Sequence, residues 1–284
     1  MMVNRLLLCT DMDRTIIPNG RQTEHPDARS QFAKLCSIPQ VKLVYVTGRS
    51  LALVKQAISE YDLPEPEYII SDVGTIIYEK KKSKWQKMQA WQELIAKDWQ
   101  GKTHDQLEKA LNTIVELELQ EAHKQNDFKL SYYISMDADH KSILAKVETR
   151  LAKLGANVSL IHSLDEPEQI VLLDILPRNA TKKHAIEFLQ KQLGYKTREI
   201  VFAGDSGNDL QVLGSSIPSI LVANAEADIK EKAIELADKN GHPEAIYLAE
   251  EENCALGGNY TAGVLQGVIY FAPEIGEKIK IPWS

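Results

Sequence analysis

The chain has 284 residues, 44% apolar and 26% charged, with a formal net charge of −7. That length suits one large domain or two moderate ones, and the composition is that of an ordinary soluble globular protein. The acidic balance argues against a broad nucleic-acid-binding surface and against an anionic membrane as partner, and no apolar run approaches the ~20 residues that span a bilayer. Met1 to Thr10 lacks the basic, apolar and small-residue succession of a secretion signal. Cys9, Cys36 and Cys254 show no metal-ligand spacing, so a reducing cytoplasm is expected.

Leu6 to Thr10 reads as an inner strand of a parallel sheet and runs straight into Asp11 and Asp13. In extended chain, residues two apart point to the same side, so both carboxylates are expected at one pocket. Carboxylates this close favour a cation or a proton between them. Pro18-Asn19-Gly20 is a turn, and a helix follows from about Asp27 to Cys36. Val41 to Thr47 is a second strand, ending in Thr47-Gly48-Arg49-Ser50 before a helix over Leu51 to Tyr61. Tyr68 to Ser71 is a third strand, and Asp72-Val73-Gly74 turns it into a small hairpin with Thr75 to Tyr78.

Lys80 to Lys87 reads as a basic linker. Helices are then predicted over Trp91–Trp99 and Thr103–Glu121, a strand over Lys129–Ser135, a helix over Asp139–Leu154, and strands over Asn157–His162 and Gln169–Ile175. This part resembles a separate α+β module, placed at 82–168, inside a core made of 1–81 and 169–284. The core pattern resumes with a helix over Thr181–Leu193 and a strand over Glu199–Ala203 that ends in Gly204-Asp205-Ser206-Gly207-Asn208-Asp209. Ile217 to Val222 is expected to be the last core strand, followed by helices over Glu226–Asp238 and Tyr260–Phe271. The expected class is α/β: a Rossmann-like parallel sheet with helices on both faces, plus the inserted module.

Ligands of open α/β sheets collect beyond the carboxyl ends of the strands. Four such places carry reactive groups here: Asp11 with Asp13, Thr47, the lysines 182 and 183, and Asp205 with Asp209. A carboxylate can attack phosphorus and split one hard displacement into two easier ones. Asp11 and Asp205 can hold Mg²⁺, which prefers oxygen ligands. Asp13 is positioned to protonate a leaving alcohol and later deprotonate water. Thr47, its neighbouring N–H groups and a lysine can surround the phosphoryl oxygens. Asp209 is placed to orient that lysine or a metal-bound water.

Asp11-Met12-Asp13-Arg14-Thr15, Val46-Thr47-Gly48-Arg49, Lys182 and Gly204 to Asp209 resemble the four motifs of the haloacid dehalogenase (HAD) phosphatase superfamily. The spacing from Asp174 through Pro177 to Ala185 selects Lys182 over Lys183. The insert resembles the type-two cap of subfamily IIB. Ser71-Asp72-Val73-Gly74, Lys129 to Tyr133, Asp174 to Pro177 and Gly258 to Leu265 are most similar to sucrose-phosphate phosphatases. The resemblance implies Asp11 as nucleophile and Asp13 as general acid/base. It implies Mg²⁺ on Asp11, the Asp13 backbone carbonyl and Asp205, with the phosphoryl group on Thr47 and Lys182. Sugar contacts are implied at Gly48, Arg49, Asn208 and the cap. Two positions depart from the motifs: Arg14, where many relatives have glycine, and Lys183, where glycine commonly follows the lysine.

The expected activity is Mg²⁺-dependent hydrolysis of a sugar phosphate, sucrose 6-phosphate first, with mannosylfructose phosphate or another glycoside phosphate as the alternative. A glycosyltransferase that makes the sugar phosphate is a candidate partner. A phosphoryl-carrier or receiver-like domain has no need of Asp13 or of so large a cap. A silent sugar-binding subunit has no need of intact Asp11, Asp13, Lys182 and Asp205. Trp85, Trp91 and Trp99 are read as core and hinge packing in preference to sugar stacking. His104, His123, His140 and His162 show no metal-ligand spacing.

Overall fold

The computed structural model describes residues 4–165, 168–253 and 255–279. Cys254 and the Pro-Trp-Ser tail lie outside these residues. β1 (Leu6–Thr10) is buried along its whole length because parallel neighbours flank it and helices cover both faces. The chain continues through α1 (Ala28–Cys36), β2 (Val41–Val46), α2 (Leu51–Glu60) and β3 (Tyr68–Ser71). A tight turn leads into the antiparallel strands β4 (Ile76–Lys81) and β5 (Lys84–Lys87), then α3 (Gln89–Ala96). An excursion follows: α4 (His104–Leu111), β6 (Glu118–Leu119), β7 (Leu130–Ser135), α5 (His140–Leu154), β8 (Val158–Asp165) and β9 (Ile170–Pro177). The chain returns through α6 (Lys182–Leu193), β10 (Ile200–Gly204), α7 (Leu210–Leu213), β11 (Ser219–Leu221), α8 (Ala227–Lys239), β12 (Ile246–Leu248), α9 (Thr261–Phe271) and α10 (Pro273–Gly276).

The large sheet has the order β12-β11-β10-β1-β2-β3-β4-β5, parallel from β12 to β3. β1 alternates between two cores: Leu6 and Leu8 face the side of α1, α2 and α9, and Leu7 and Cys9 face the side of α3, α6 and α7. This is the α/β class expected from the sequence, with helices on both faces. The strands wind outward in opposite directions from β1 and β10, so the topological switch lies between those two. β6-β7-β9-β8 form a separate antiparallel cap sheet, packed with α4 and α5 around Trp99, Leu107, Tyr132, Val147 and Leu173. Among the described residues, no helix is long and apolar enough to cross a membrane.

Several local expectations are corrected. Lys80 to Lys87 is not a linker: it is the β4–β5 hairpin, turned at Lys82 and Ser83 with φ of 46° and 65°. Its lysines suit the outermost strand, where charge discourages pairing with another chain. Cap packing begins later in the chain than residue 82 and ends later than residue 168. β5 joins the core sheet, and Trp91 and Ile95 of α3 pack on the core. β9 instead belongs to the cap sheet, with Val171, Leu173 and Ile175 in the cap cluster and Leu176 already in the core cluster. The helix expected over Thr103–Glu121 stops at Leu111. The β-branched Thr113, Ile114 and Val115 follow, and Glu118–Leu119 pairs with β7 instead. β11 is not the last core strand, because β12 pairs outside it.

Candidate active site

The switch point places the first and last acidic motifs side by side. β1 and β10 run in register from Leu7↔Ile200 to Thr10↔Ala203, and the Asp11 N–H donates to the Ala203 carbonyl at 2.8 Å. Asp11 and Asp205 therefore emerge from neighbouring strand ends. Lys182 arrives from the first turn of α6, which Thr181 caps. The turn at Asp72, Val73 and Gly74 fixes that helix start. A Cβ on Gly74 (φ 105°) would lie 2.5 Å from the Thr181 carbonyl carbon, so only glycine permits this approach. The same turn braces the end of β2, with Val73 N–H donating to the Thr47 carbonyl and Asp72 N–H to the Arg49 carbonyl, both at 3.1 Å.

Lys182 is buried, and its Nζ donates to Asp11 Oδ2 (2.7 Å), Asn208 Oδ1 (2.8 Å) and Asp209 Oδ1 (2.8 Å). The other Asp209 oxygen accepts from the N–H groups of Asp205 (3.1 Å) and Ser206 (3.2 Å). Asp209 thus ties the motif turn to the lysine. Burial works against the charge on Lys182, but Asp11 and Asp209 outweigh it and keep Nζ protonated. Burial raises Asp11, which Lys182 only partly offsets and Asp209 reinforces. Burial, then repulsion from Asp11 and Asp209, pushes Asp205 up to about 8.

The direction of both carboxyl shifts follows from gathering buried carboxylates with too little positive charge beside them. Asp11, Asp205 and Asp209 each offer an oxygen, and these oxygens lie within 4.8 Å of one another. An all-oxygen donor set of this kind fits Mg²⁺. A second grouping, His104, Asp105 and Glu108, lies on the more exposed cap helix α4.

Asp13 is placed differently. The strand ends at Thr10, and Asp13 lies in the following turn. Its carboxylate accepts from Arg49 Nε (2.7 Å), Arg49 Nη2 (2.6 Å) and Asn19 Nδ2 (2.7 Å). Burial would raise its pKa, but the Arg49 hydrogen bonds prevail and hold it below the usual carboxylate range. Arg49, expected at the sugar, thus sits on Asp13. Thr47 is buried at the end of β2, where its Oγ1 accepts from the Arg49 N–H at 3.2 Å, and Gly48 is exposed beside it.

Residues 4–272 match the family model described as sucrose-6F-phosphate phosphohydrolase. The chain belongs to this family. It is a phosphoric monoester hydrolase of HAD subclass IIB. It is 44% identical over 273 residues to the "Putative HAD-like hydrolase" of Nitrosococcus oceani, covering 96% of this chain and 73% of that one. It is 29% identical over 248 residues to the mannosylfructose-phosphate phosphatase of Agrobacterium fabrum, covering 87% and 88% of the two chains. Its fold matches the sucrose-phosphatase of Synechocystis, solved with sucrose and phosphate, at a TM-score of 0.74 and 23% identity over 95% and 98% of the chains.

In this family member, β8 of the cap closes one side of a cleft over the lysine. Leu160, Ile161 and His162 line it together with Val73, Lys182, Asn208 and Gln211. Trp91 instead packs on Phe188 (ring centroids 5.1 Å apart) and Trp99 on Phe128 (5.6 Å), and Trp85 joins the core cluster. Sequence alone assigns no role to Gln211, offers His162 only as a non-ligand, and marks Arg14 and Thr15 only as parts of the first motif. Thr15 Oγ1 donates to Asp205 Oδ1 at 3.1 Å, and Arg14 Nε lies 3.3 Å from Asp205 Oδ2. The departure from glycine is the available signal for Arg14, and membership of the first motif is the signal for Thr15.

Proposed function

We propose that the protein hydrolyses sucrose 6-phosphate to sucrose and phosphate through a phosphoryl group carried on Asp11. The observation that carries this reading is the Lys182 ammonium held by Asp11, Asn208 and Asp209, beside Asp205, at the sheet's switch point. Asp11 attacks phosphorus, forming a P–O bond to its carboxylate as the bond to the sugar oxygen breaks. Asp13 gives that leaving oxygen a proton, then takes one from the water that hydrolyses the aspartyl phosphate. Arg49 must leave Asp13 for this, and the exposed strand-end loop at Gly48 is where substrate would draw it away. Thr47 and Lys182 bind the phosphoryl oxygens, and Asn208 and the Gly48–Arg49 loop bind the sugar side.

Asp11, the Asp13 carbonyl and Asp205 would hold Mg²⁺, which when bound supplies charge neutralisation for the phosphoryl oxygens. Asp209 keeps Lys182 aligned. The cap shields the cleft from bulk water and selects the sugar.

Sucrose 6-phosphate comes first because the family model spans nearly the whole chain. Mannosylfructose phosphate is the second reading, favoured by the Agrobacterium relative matched over most of both chains. Phosphate release from a panel of hexose and disaccharide phosphates, with Mg²⁺ and with EDTA, tests this. The highest kcat/KM is expected for sucrose 6-phosphate, with EDTA abolishing turnover. A preference for mannosylfructose phosphate would select the second reading, and turnover only of simple hexose phosphates would reject both.

A further inference from the structure

Arg14 takes no part in the phosphoryl transfer above, yet it is fixed at the carboxylate cluster from several sides. Its φ of 55° lies in the left-handed region that residues with a Cβ rarely adopt. Its N–H donates to Asn19 Oδ1 (2.8 Å), and its carbonyl accepts from Asn224 Nδ2 (2.6 Å). Its Nη2 donates to the Asn224 carbonyl (3.2 Å) and Glu226 Oε1 (2.8 Å). Asn224 is buried and is itself locked by the Tyr260 N–H on its Oδ1 at 2.8 Å. The guanidinium so held places a buried Nε, with no hydrogen-bond partner of its own, 3.3 Å from Asp205 Oδ2. Thr15 holds the other Asp205 oxygen.

We propose that Arg14 is a fixed internal cation of the divalent-ion site, which orients Asp205 and sets the Mg²⁺ concentration at which the site fills. The inference rests on the reading that Asp11 and Asp205 hold that ion. A guanidinium stays charged at every working pH. Beside Asp205 it competes for the carboxylate's charge and repels an incoming dication. Glu226 on the outside offsets part of this. Arg14 is therefore a positioning residue that trades ion affinity for a preformed Asp205.

Calorimetric titration of Mg²⁺ into the full-length wild type, R14N, R14M, R14K and D205N tests the proposal without reference to turnover. Asparagine tolerates the left-handed backbone, so R14N is expected to fold. R14M provides a second neutral variant of similar length. Both are expected to bind Mg²⁺ about fivefold more tightly than wild type, the size of one partly exposed charge interaction. R14K, which keeps the charge, is expected to stay near wild type. Equal affinity in wild type and both neutral variants would overturn the role of Arg14, as would an unchanged Mg²⁺ affinity accompanied by a raised KM. No binding to wild type, or binding unaffected by D205N, would instead overturn the ion site beneath it.

Discussion

Lys182→Met deletes one charge from the centre of the site while keeping a side chain of similar length. Asp11 and Asp209 then lose their shared ammonium, and Asn208 Oδ1 keeps only the Ser206 hydroxyl as donor. Breaking a buried ion pair by removing one partner costs ~3–5 kcal/mol, because the other charge stays buried. The Lys182 side chain is 1% exposed, so solvent does not screen this loss. At ~2–4 °C per kcal/mol for a protein near this size, Tm is expected to fall by about 6–20 °C in EDTA. The deficit must also depend on pH. A carboxyl whose pKa is raised on folding binds more protons in the native state, so stability falls as pH climbs from its unfolded to its folded pKa. Asp11 is raised from 3.8 to about 7 with Lys182 present, and higher without it. The deficit of the variant should therefore be smaller at pH 5, where only the Asp209 ion pair is lost, and grow toward pH 8. Thermal melts at pH 5, 7 and 8 check this. An unchanged Tm, or a larger deficit at pH 5 than at pH 8, would refute the assignment of Lys182 as the counter-ion of Asp11 and Asp209.

Asp11→Asn should reduce phosphate release by on the order of 10³-fold or more and leave far-UV circular dichroism unchanged. Asp13→Asn should cost ~10²–10⁴-fold in kcat yet leave Mg²⁺ affinity in a titration near wild type, since the ion is assigned to its carbonyl. Gly204→Ala changes no functional group, but its Cβ would lie 2.5 Å from Asp209 Oδ2 and 2.6 Å from Asp209 Cγ. Asp209 is fully buried, so displacement of its carboxylate should loosen Lys182, lower stability by ~1–3 kcal/mol in urea unfolding, and reduce kcat.

The parts of the fold visible in the sequence were those with a strong local signature. The run Leu6 to Thr10 is apolar on both faces because both faces of β1 are covered, and the acids that follow mark its carboxyl end. The Gly204 to Asp209 turn is compact enough to read without its surroundings. β5 was hidden because an outermost strand rich in lysine has the composition of a linker. β12 has three residues, too few to show a period. The cap boundary was hidden in β9, whose alternation serves the cap sheet until Leu176 enters the core. Arg49 and Arg14 show the remaining limit. Both were legible as residues near the site, but their carboxylate partners depend on turns and rotamers set by tertiary contacts with Asn19, Asn224 and Glu226.

The most direct test is a crystal structure with Mn²⁺ in place of Mg²⁺, read by anomalous scattering. The expected result is one strong peak coordinated by Asp11 and Asp205, with Lys182 still on Asp209. A peak only at His104, Asp105 and Glu108, or Asp11 and Asp205 lying apart with no ion between them, would contradict the account.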